Sequence, residues 1–181
     1  MYELFMLGKL MDRPWHGYEF QQVLNSFVGP MRKVSWGTVY PMLRRLEKDG
    51  LIEHALADPG PEDKRGRQRY SITAAGKRKF LELMRLEQLS NGEYRETFRI
   101  VLGNLSRVDA GARREIVEGY LKCLSTAINH AENMAKRVRD FAGLRDSERQ
   151  DILLALERDR FLAEADRNWI LEKMDGVLTA G

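Results

Sequence analysis

Residues 35–52 read Ser35-Trp36-Gly37-Thr38-Val39-Tyr40-Pro41-Met42-Leu43-Arg44-Arg45-Leu46-Glu47-Lys48-Asp49-Gly50-Leu51-Ile52. Val39, Leu43 and Leu46 recur at spacings of four and three, the pattern of a helix that buries one face. With those three turned inward, Thr38, Tyr40, Arg44 and Arg45 fall near the outer face. Ser35 is a good N-cap and Gly50 supplies a C-terminal stop, so the spacing predicts a helix from about Ser35 to Asp49. Pro41 argues against a helix in general, but near a helix start, where backbone N–H groups lack partners, it costs little. A slightly irregular first turn is the expected accommodation.

Working outward, Leu4, Leu7 and Met11 predict a helix from about Tyr2 to Met11, ended by Asp12-Arg13-Pro14. Phe20, Val23, Leu24 and Phe27 form the apolar stripe of a second, from about Gly17 to Phe27, which Val28-Gly29-Pro30 terminates. After Gly50 the period shortens. Leu51–Leu56 and Arg69–Ile72 read as two short strands, with Tyr70 and Ile72 on one face. The polar, Gly/Pro-rich segment from Asp58 to Gln68 joins them as a loop. Thr73 caps a further helix, Ala74 to about Leu89, closed by Ser90-Asn91-Gly92. Three helices, a β-hairpin and a following helix make a winged helix-turn-helix over residues 1–89.

Residues 90–181 have another texture. A helix at about Glu93–Leu105 precedes two long ones, roughly Asp109–Ala142 and Asp146–Leu178. Val117, Leu121, Leu124, Ile128, Ala131, Ala135 and Val138 form a coiled-coil-like seam on the first. Leu154, Phe161, Leu162, Ala165, Trp169, Ile170 and Met174 give the second a broad apolar face. Joined by Gly143-Leu144-Arg145, the two should pack antiparallel. The expected fold is mainly α with a small β-hairpin: an N-terminal winged helix-turn-helix, 1–89, and a C-terminal helical dimerisation domain, 90–181.

The 181 residues are 43% hydrophobic and 31% charged, which fits a helix-rich globular protein. The net charge of +3 is too small to name a partner, but its distribution is informative. Residues 1–89 hold 15 basic against 11 acidic side chains, and residues 90–181 hold 15 against 16. Cys123 is the only cysteine, so no intramolecular disulfide or cysteine-rich zinc site is available, in keeping with a reducing compartment. The apolar stretch Leu4–Met11 is broken by Lys9 and has no signal-peptide pattern, and no run is long enough to span a membrane. A cytoplasmic protein without membrane partners or cofactors is expected.

A helix with one buried face can present the other to a DNA major groove. Ser35 and Thr38 suit phosphate contacts, Tyr40 offers a phenolic donor, and Arg44 and Arg45 can meet a base or a phosphate. The plainer reading of the two arginines is a solvated helix face paired with nearby acids; a basic hairpin tip favours the DNA reading. Lys64, Arg65, Arg67 and Arg69 crowd that tip around Gly66, suited to a minor groove or the backbone. Lys77, Arg78 and Lys79 start the next helix, where cations oppose the helix dipole unless a phosphate lies near; a solvated patch is the alternative. His16, His54 and His130 lack metal-ligand spacing, and no phosphate loop, nucleophile elbow or metalloprotease signature is present, so nothing points to an enzyme. His16-Gly17-Tyr18 reads as architecture, Cys123 as a small buried hydrophobe, and Trp15, Trp36 and Trp169 as core residues before ligand-site residues.

Three stretches resemble the PadR family of regulators: His16-Gly17-Tyr18-Glu19, then Gly37 through Ile52, then Tyr70-Ser71-Ile72-Thr73-Ala74-Ala75-Gly76. They fall in the right order and cover about residues 4–85. Trp36 departs from the pattern, standing where many members carry Pro or another small residue, and it joins the candidate DNA-facing set. The helical remainder resembles the C-terminal domain of the larger PadR subgroup. The resemblance implies a homodimeric regulator, most often a repressor, on an inverted-repeat operator in double-stranded DNA, with a small, often aromatic, effector. The residues alone leave open an activator, another winged-helix family, or a winged helix that binds protein.

Overall fold

The structure, a computed structural model, describes residues 1–28, 33–55, 69–85 and 94–174. It divides into two compact units, one of residues 1–85 with 99–107, the other of residues 86–98 with 108–181.

In the first unit, α1 (Tyr2–Leu10) is buried at Leu4, Phe5, Met6, Leu7, Gly8 and Leu10, so it is a core helix apolar on most sides. Gly8 lets Asn104 come close: a Cβ there would stand 2.9 Å from the Asn104 Cγ. Asn104 in turn accepts from Arg107 Nη1 at 2.8 Å, and Arg107 also pairs with Asp12 beyond the end of α1. α2 (Gly17–Val28) contributes the fully buried Phe20 and Leu24. α3 (Trp36–Lys48) buries Val39, Leu43 and Leu46, the three positions that its spacing predicts. Its start is tied to α2 through Val34, whose N–H donates to Asn25 Oδ1 at 2.6 Å and whose carbonyl accepts from Asn25 Nδ2 at 3.1 Å.

α3 ends on a Schellman arrangement. Leu51 N–H donates to the Leu46 carbonyl and Gly50 N–H to the Glu47 carbonyl, each at 2.9 Å, with Gly50 at φ +68°. Pro41 is the sixth residue of the helix, too deep to count among the four free N–H positions, so it removes one helical hydrogen bond, the one the Gly37 carbonyl would accept. The first turn is tight instead: the Ser35 carbonyl accepts from both Thr38 N–H (3.0 Å) and Val39 N–H (3.2 Å).

The expected hairpin is part of a larger sheet. β1 (Trp15–His16), β2 (Ile52–His54) and β3 (Arg69–Ile72) are antiparallel in the order β1-β3-β2, with Trp15 opposite Tyr70 and Ile52 opposite Ile72. Two residues are too few to show a strand period, which is why β1 is not legible from sequence. The loop 56–68 lies outside the described residues. α4 (Ala74–Met84) is capped by Thr73, whose hydroxyl accepts from Gly76 N–H at 3.0 Å. Arg85 is already extended, so the helix stops five residues short of the expected Leu89. α5 (Tyr94–Leu102) is followed by a 3-10 turn at Leu105–Arg107 where an unbroken helix is expected.

In the second unit, α6 (Ala110–Asp140) and α7 (Asp146–Lys173) run antiparallel: Arg149 reaches the Val138 carbonyl at 2.6 Å, and Tyr120 reaches Asp166 at 3.3 Å. The Arg149 guanidinium also donates to the Arg139 carbonyl at 2.8 Å, so a cation satisfies the orphan carbonyls at the α6 C-terminus. Asp109 caps the other end by accepting from Ala112 N–H at 2.8 Å. The seam residues Val117, Leu124, Ile128, Ala131 and Val138 are buried, and Ile116 and Tyr120 widen it. Tyr120 stacks on Phe98 with ring centroids 3.6 Å apart, and burial first, then the Asp166 carboxylate, pushes its phenol far above its ordinary range.

The broad apolar face expected on α7 divides in two. Ala163, Ile170 and Met174 are buried, whereas Leu154 (67% exposed), Phe161 (65%) and Trp169 (47%) stand in solvent. Spacings of seven and eight carry those three along one stripe, Leu154 and Phe161 roughly half a turn from Ile170 and Trp169 roughly a quarter turn. Trp169 is therefore not a core residue of its own chain, because its position turns it away from α6. Cys123 is half-buried rather than buried, and that burial raises its thiol pKa.

Candidate nucleic-acid interface

With Val39, Leu43 and Leu46 buried and Met42 and Glu47 half-buried, the N-cap Ser35 and the helix residues Trp36, Gly37, Thr38, Tyr40, Pro41, Arg44, Arg45 and Lys48 are exposed. All six candidates on this helix thus lie on its solvent side. Ser35 is the N-cap by position, but its hydroxyl makes no capping hydrogen bond. The Arg44 guanidinium carbon lies 5.6 Å from the centre of the Tyr40 ring, a cation–π contact that holds the arginine along the helix. Arg45 Nε is 3.6 Å from Asp49, one turn on, and its side chain is 79% exposed. That pairing is the plainer reading realised in part, and an exposed pair of this kind is worth little, so Arg45 can exchange it for a phosphate. Lys48, four residues after Arg44, completes the basic edge; its spacing is the signal that would have added it to the candidates.

Trp36 is 45% exposed, which corrects its expected place in the core. The covered part of the Trp36 ring lies against the start of α2, its Cη2 3.4 Å from where a Gly17 Cβ would be. Trp15 is partly covered, with its ring 5.5 Å from Phe20 and the Arg13 guanidinium 4.5 Å from its centre.

Lys64, Arg65 and Arg67, the proposed wing contacts, lie outside the described residues. The described wing base is built around Arg69, whose Nε donates to His16 Nε2 at 2.9 Å, across the β1–β3 pairing. His16 N–H donates to Glu19 Oε2 at 2.6 Å, and Glu19 pairs with Arg13 at 2.7 Å. Burial pushes the Glu19 carboxyl up, but the hydrogen bonds from Arg13 and the His16 backbone outweigh it and hold the group below its usual range. His16-Gly17-Tyr18-Glu19 is thus a junction between β1, β3 and α2. Lys77 and Arg78 on α4 are exposed, and Lys79 pairs with Glu82 at 2.8 Å.

Among the described residues no group of three or more His, Cys, Asp or Glu could hold a metal ion, and no helix is long and apolar enough to cross a membrane.

Comparison with known proteins finds a match over residues 6–82 to the model of the transcriptional regulator PadR-like family. No curated protein sequence matches. Among solved structures, the chain is similar to Bacillus subtilis PadR in complex with operator DNA (14% identity, 97% of this chain and 96% of that one, TM-score 0.42). It is also similar to the Vibrio cholerae virulence activator AphA (20% identity, 100% of both chains, TM-score 0.39). A regulator from Thermoplasma acidophilum matches at 24% identity over 60% of this chain and 91% of its own, with TM-score 0.35. From within α1 to within α4, over residues 6–82, the chain is thus similar to the transcriptional regulator PadR-like family.

Proposed function

We propose that the protein is a homodimeric repressor that reads an inverted-repeat operator with α3 in the major groove. The observation that carries this reading is the two-sidedness of α3: three apolar residues buried at 2% exposure or less, and Tyr40, Arg44, Arg45 and Lys48 together in solvent. Ser35, Trp36 and Thr38 stand at the helix N-terminus, where backbone N–H groups suit phosphate. Lys64, Arg65 and Arg67 extend the contact from the wing to the adjacent minor groove or backbone. The family resemblance supplies the sign of regulation and a small-molecule effector that releases the DNA.

A second copy is the natural cover for the stripe of Leu154, Phe161 and Trp169, since apolar side chains this exposed gain by leaving water together. A two-fold axis would set the stripe against itself.

Titration of promoter DNA at several salt concentrations tests the DNA reading. Replacing Arg44 and Arg45 by Ala lowers affinity, by about 1–3 kcal/mol where the arginine reads a base, or flattens the salt slope by about 0.9 for each phosphate no longer neutralised. Unchanged affinity and slope would mean that α3 does not face DNA. Sedimentation equilibrium tests the dimer: replacing Leu154, Phe161 and Trp169 by Ser gives a monomer, whereas an intact dimer would place the interface elsewhere.

A further inference from the structure

We propose that Gly37 and Pro41 form the point at which α3 comes closest to the bases, and that Pro41 selects thymine there through its 5-methyl group. The inference rests on α3 lying in a major groove. Gly37, Pro41 and Lys48 recur at spacings of four and seven, roughly half a turn from the mean direction of the buried Val39, Leu43 and Leu46. They therefore form the central ridge of the exposed face, with Arg44 and Arg45 on either side of it.

Gly and Pro are the residue types least suited to the inside of a helix, and here they stand one turn apart on this ridge. The fold asks for neither. Among the described residues, a Cβ on Gly37 would meet only the Ser35 Oγ, at 3.5 Å, an ordinary contact, and Gly37 does not have a positive φ. Pro41 is exposed, and its ring deprives the Gly37 carbonyl of its helical partner. Both losses fall at positions that face outward, so the compensating contact lies in what α3 meets.

A helix with its side chains is about 10–12 Å across and the major groove about 12 Å wide, so long side chains on the central ridge would hold α3 off the base edges. Gly37 places nothing there, and Pro41 places a short, rigid, apolar ring. The flanking cations lean away from the ridge, Arg44 toward the Tyr40 ring (5.6 Å) and Arg45 toward Asp49 (3.6 Å). A hollow is left over Pro41, with Arg44, Arg45 and Lys48 in its wall. Its two carboxylates are already paired, Asp49 with Arg45 and Glu47 with His54 at 2.7 Å. Of the groups that base pairs display in the major groove, the thymine methyl is the apolar one. The Pro41 ring cannot replace the water it would strip from a polar base edge, whereas against a methyl both surfaces gain by leaving water.

The test starts from the duplex that the full-length protein selects from a randomised pool, prepared with thymine and again with uracil, which lacks only the methyl. Affinity should fall about fourfold for each methyl contacted. Pro41→Ser should raise the urea midpoint and bind the two duplexes alike. Gly37→Ala should also raise the urea midpoint, yet weaken the thymine duplex by about tenfold or more, because its methyl group stands where the DNA must come close. Equal binding of the two duplexes by the parent, a uracil effect that persists in Pro41→Ser, or a Gly37→Ala variant that binds as tightly as the parent would overturn the inference and leave α3 in the groove. A variant that loses stability or does not fold would overturn it too, since the fold would then be what needs the residue. If no duplex is enriched from the pool, the DNA reading and this inference fail together.

Discussion

Replacing Gly76 by Ala should destabilise the N-terminal unit, although helix propensity alone predicts a gain. Gly76 is the third residue of α4, and Ala there would favour the helix by up to about 1 kcal/mol. The first turn of α4, however, rests on the end of α3. Thr73 N–H donates to the Leu51 carbonyl at 3.1 Å, and the Thr73 hydroxyl reaches the Gly50 carbonyl at 2.7 Å. A Cβ on Gly76 would stand 2.7 Å from Ile72 Cγ1 and 3.0 Å from the Leu51 carbonyl carbon, and closer still to its oxygen. That oxygen is backbone, fixed by the Schellman turn, so the helix must move. Overpacking of this kind costs about 1–3 kcal/mol, and strain on the Thr73 cap adds about 1 kcal/mol. Set against the propensity gain, the net loss is about 1–3 kcal/mol, or a midpoint lower by roughly 5–20 °C for a unit of this size. Urea unfolding followed by Trp15 and Trp36 fluorescence, in a Trp169→Phe background, measures it. A Gly76→Ala variant as stable as the parent, or more so, would refute the reasoning.

Two further perturbations probe other parts of the chain. Asp109→Ala removes the acceptor for Ala112 N–H at the start of α6 and should cost about 1 kcal/mol, read by unfolding in urea; no loss would show that the cap contributes nothing. Glu19, held below its usual range, stabilises the fold above the unfolded carboxyl pKa of about 4.3 and loses that contribution as pH falls. Glu19→Gln should therefore lower stability near neutral pH, and the gap should close as pH falls from the unfolded carboxyl value through the lower folded one, whereas a constant gap across the acid range would contradict the assigned interaction.

Much of this architecture was legible because it rests on period and punctuation. Val39, Leu43 and Leu46 are buried where their spacing places them, and Gly50 takes the positive φ that a helix stop requires. Thr73 and Asp109 sit where a cap and an interhelical break coincide. What was not legible depends on contacts remote in sequence. β1 exists because Trp15 and His16 meet Tyr70 and Arg69, 55 and 53 residues away. Trp36 is half covered because its ring meets Gly17, 19 residues away on another helix. The apolar residues of α7 divide between a buried and an exposed side because α6 covers only one of them, and hydrophobicity alone cannot say which. On α3, sequence period was enough to find the outward side chains but missed Lys48.

The most direct test of the central claim is a hydroxyl-radical footprint of the protein on promoter DNA. Two recognition helices on a two-fold dimer should protect two patches about one helical turn, roughly 34–36 Å, apart and symmetric about a common centre. Replacing Arg44 and Arg45 by Ala should erase both together. A single unsymmetrical patch, or protection that survives in that variant, would contradict the account.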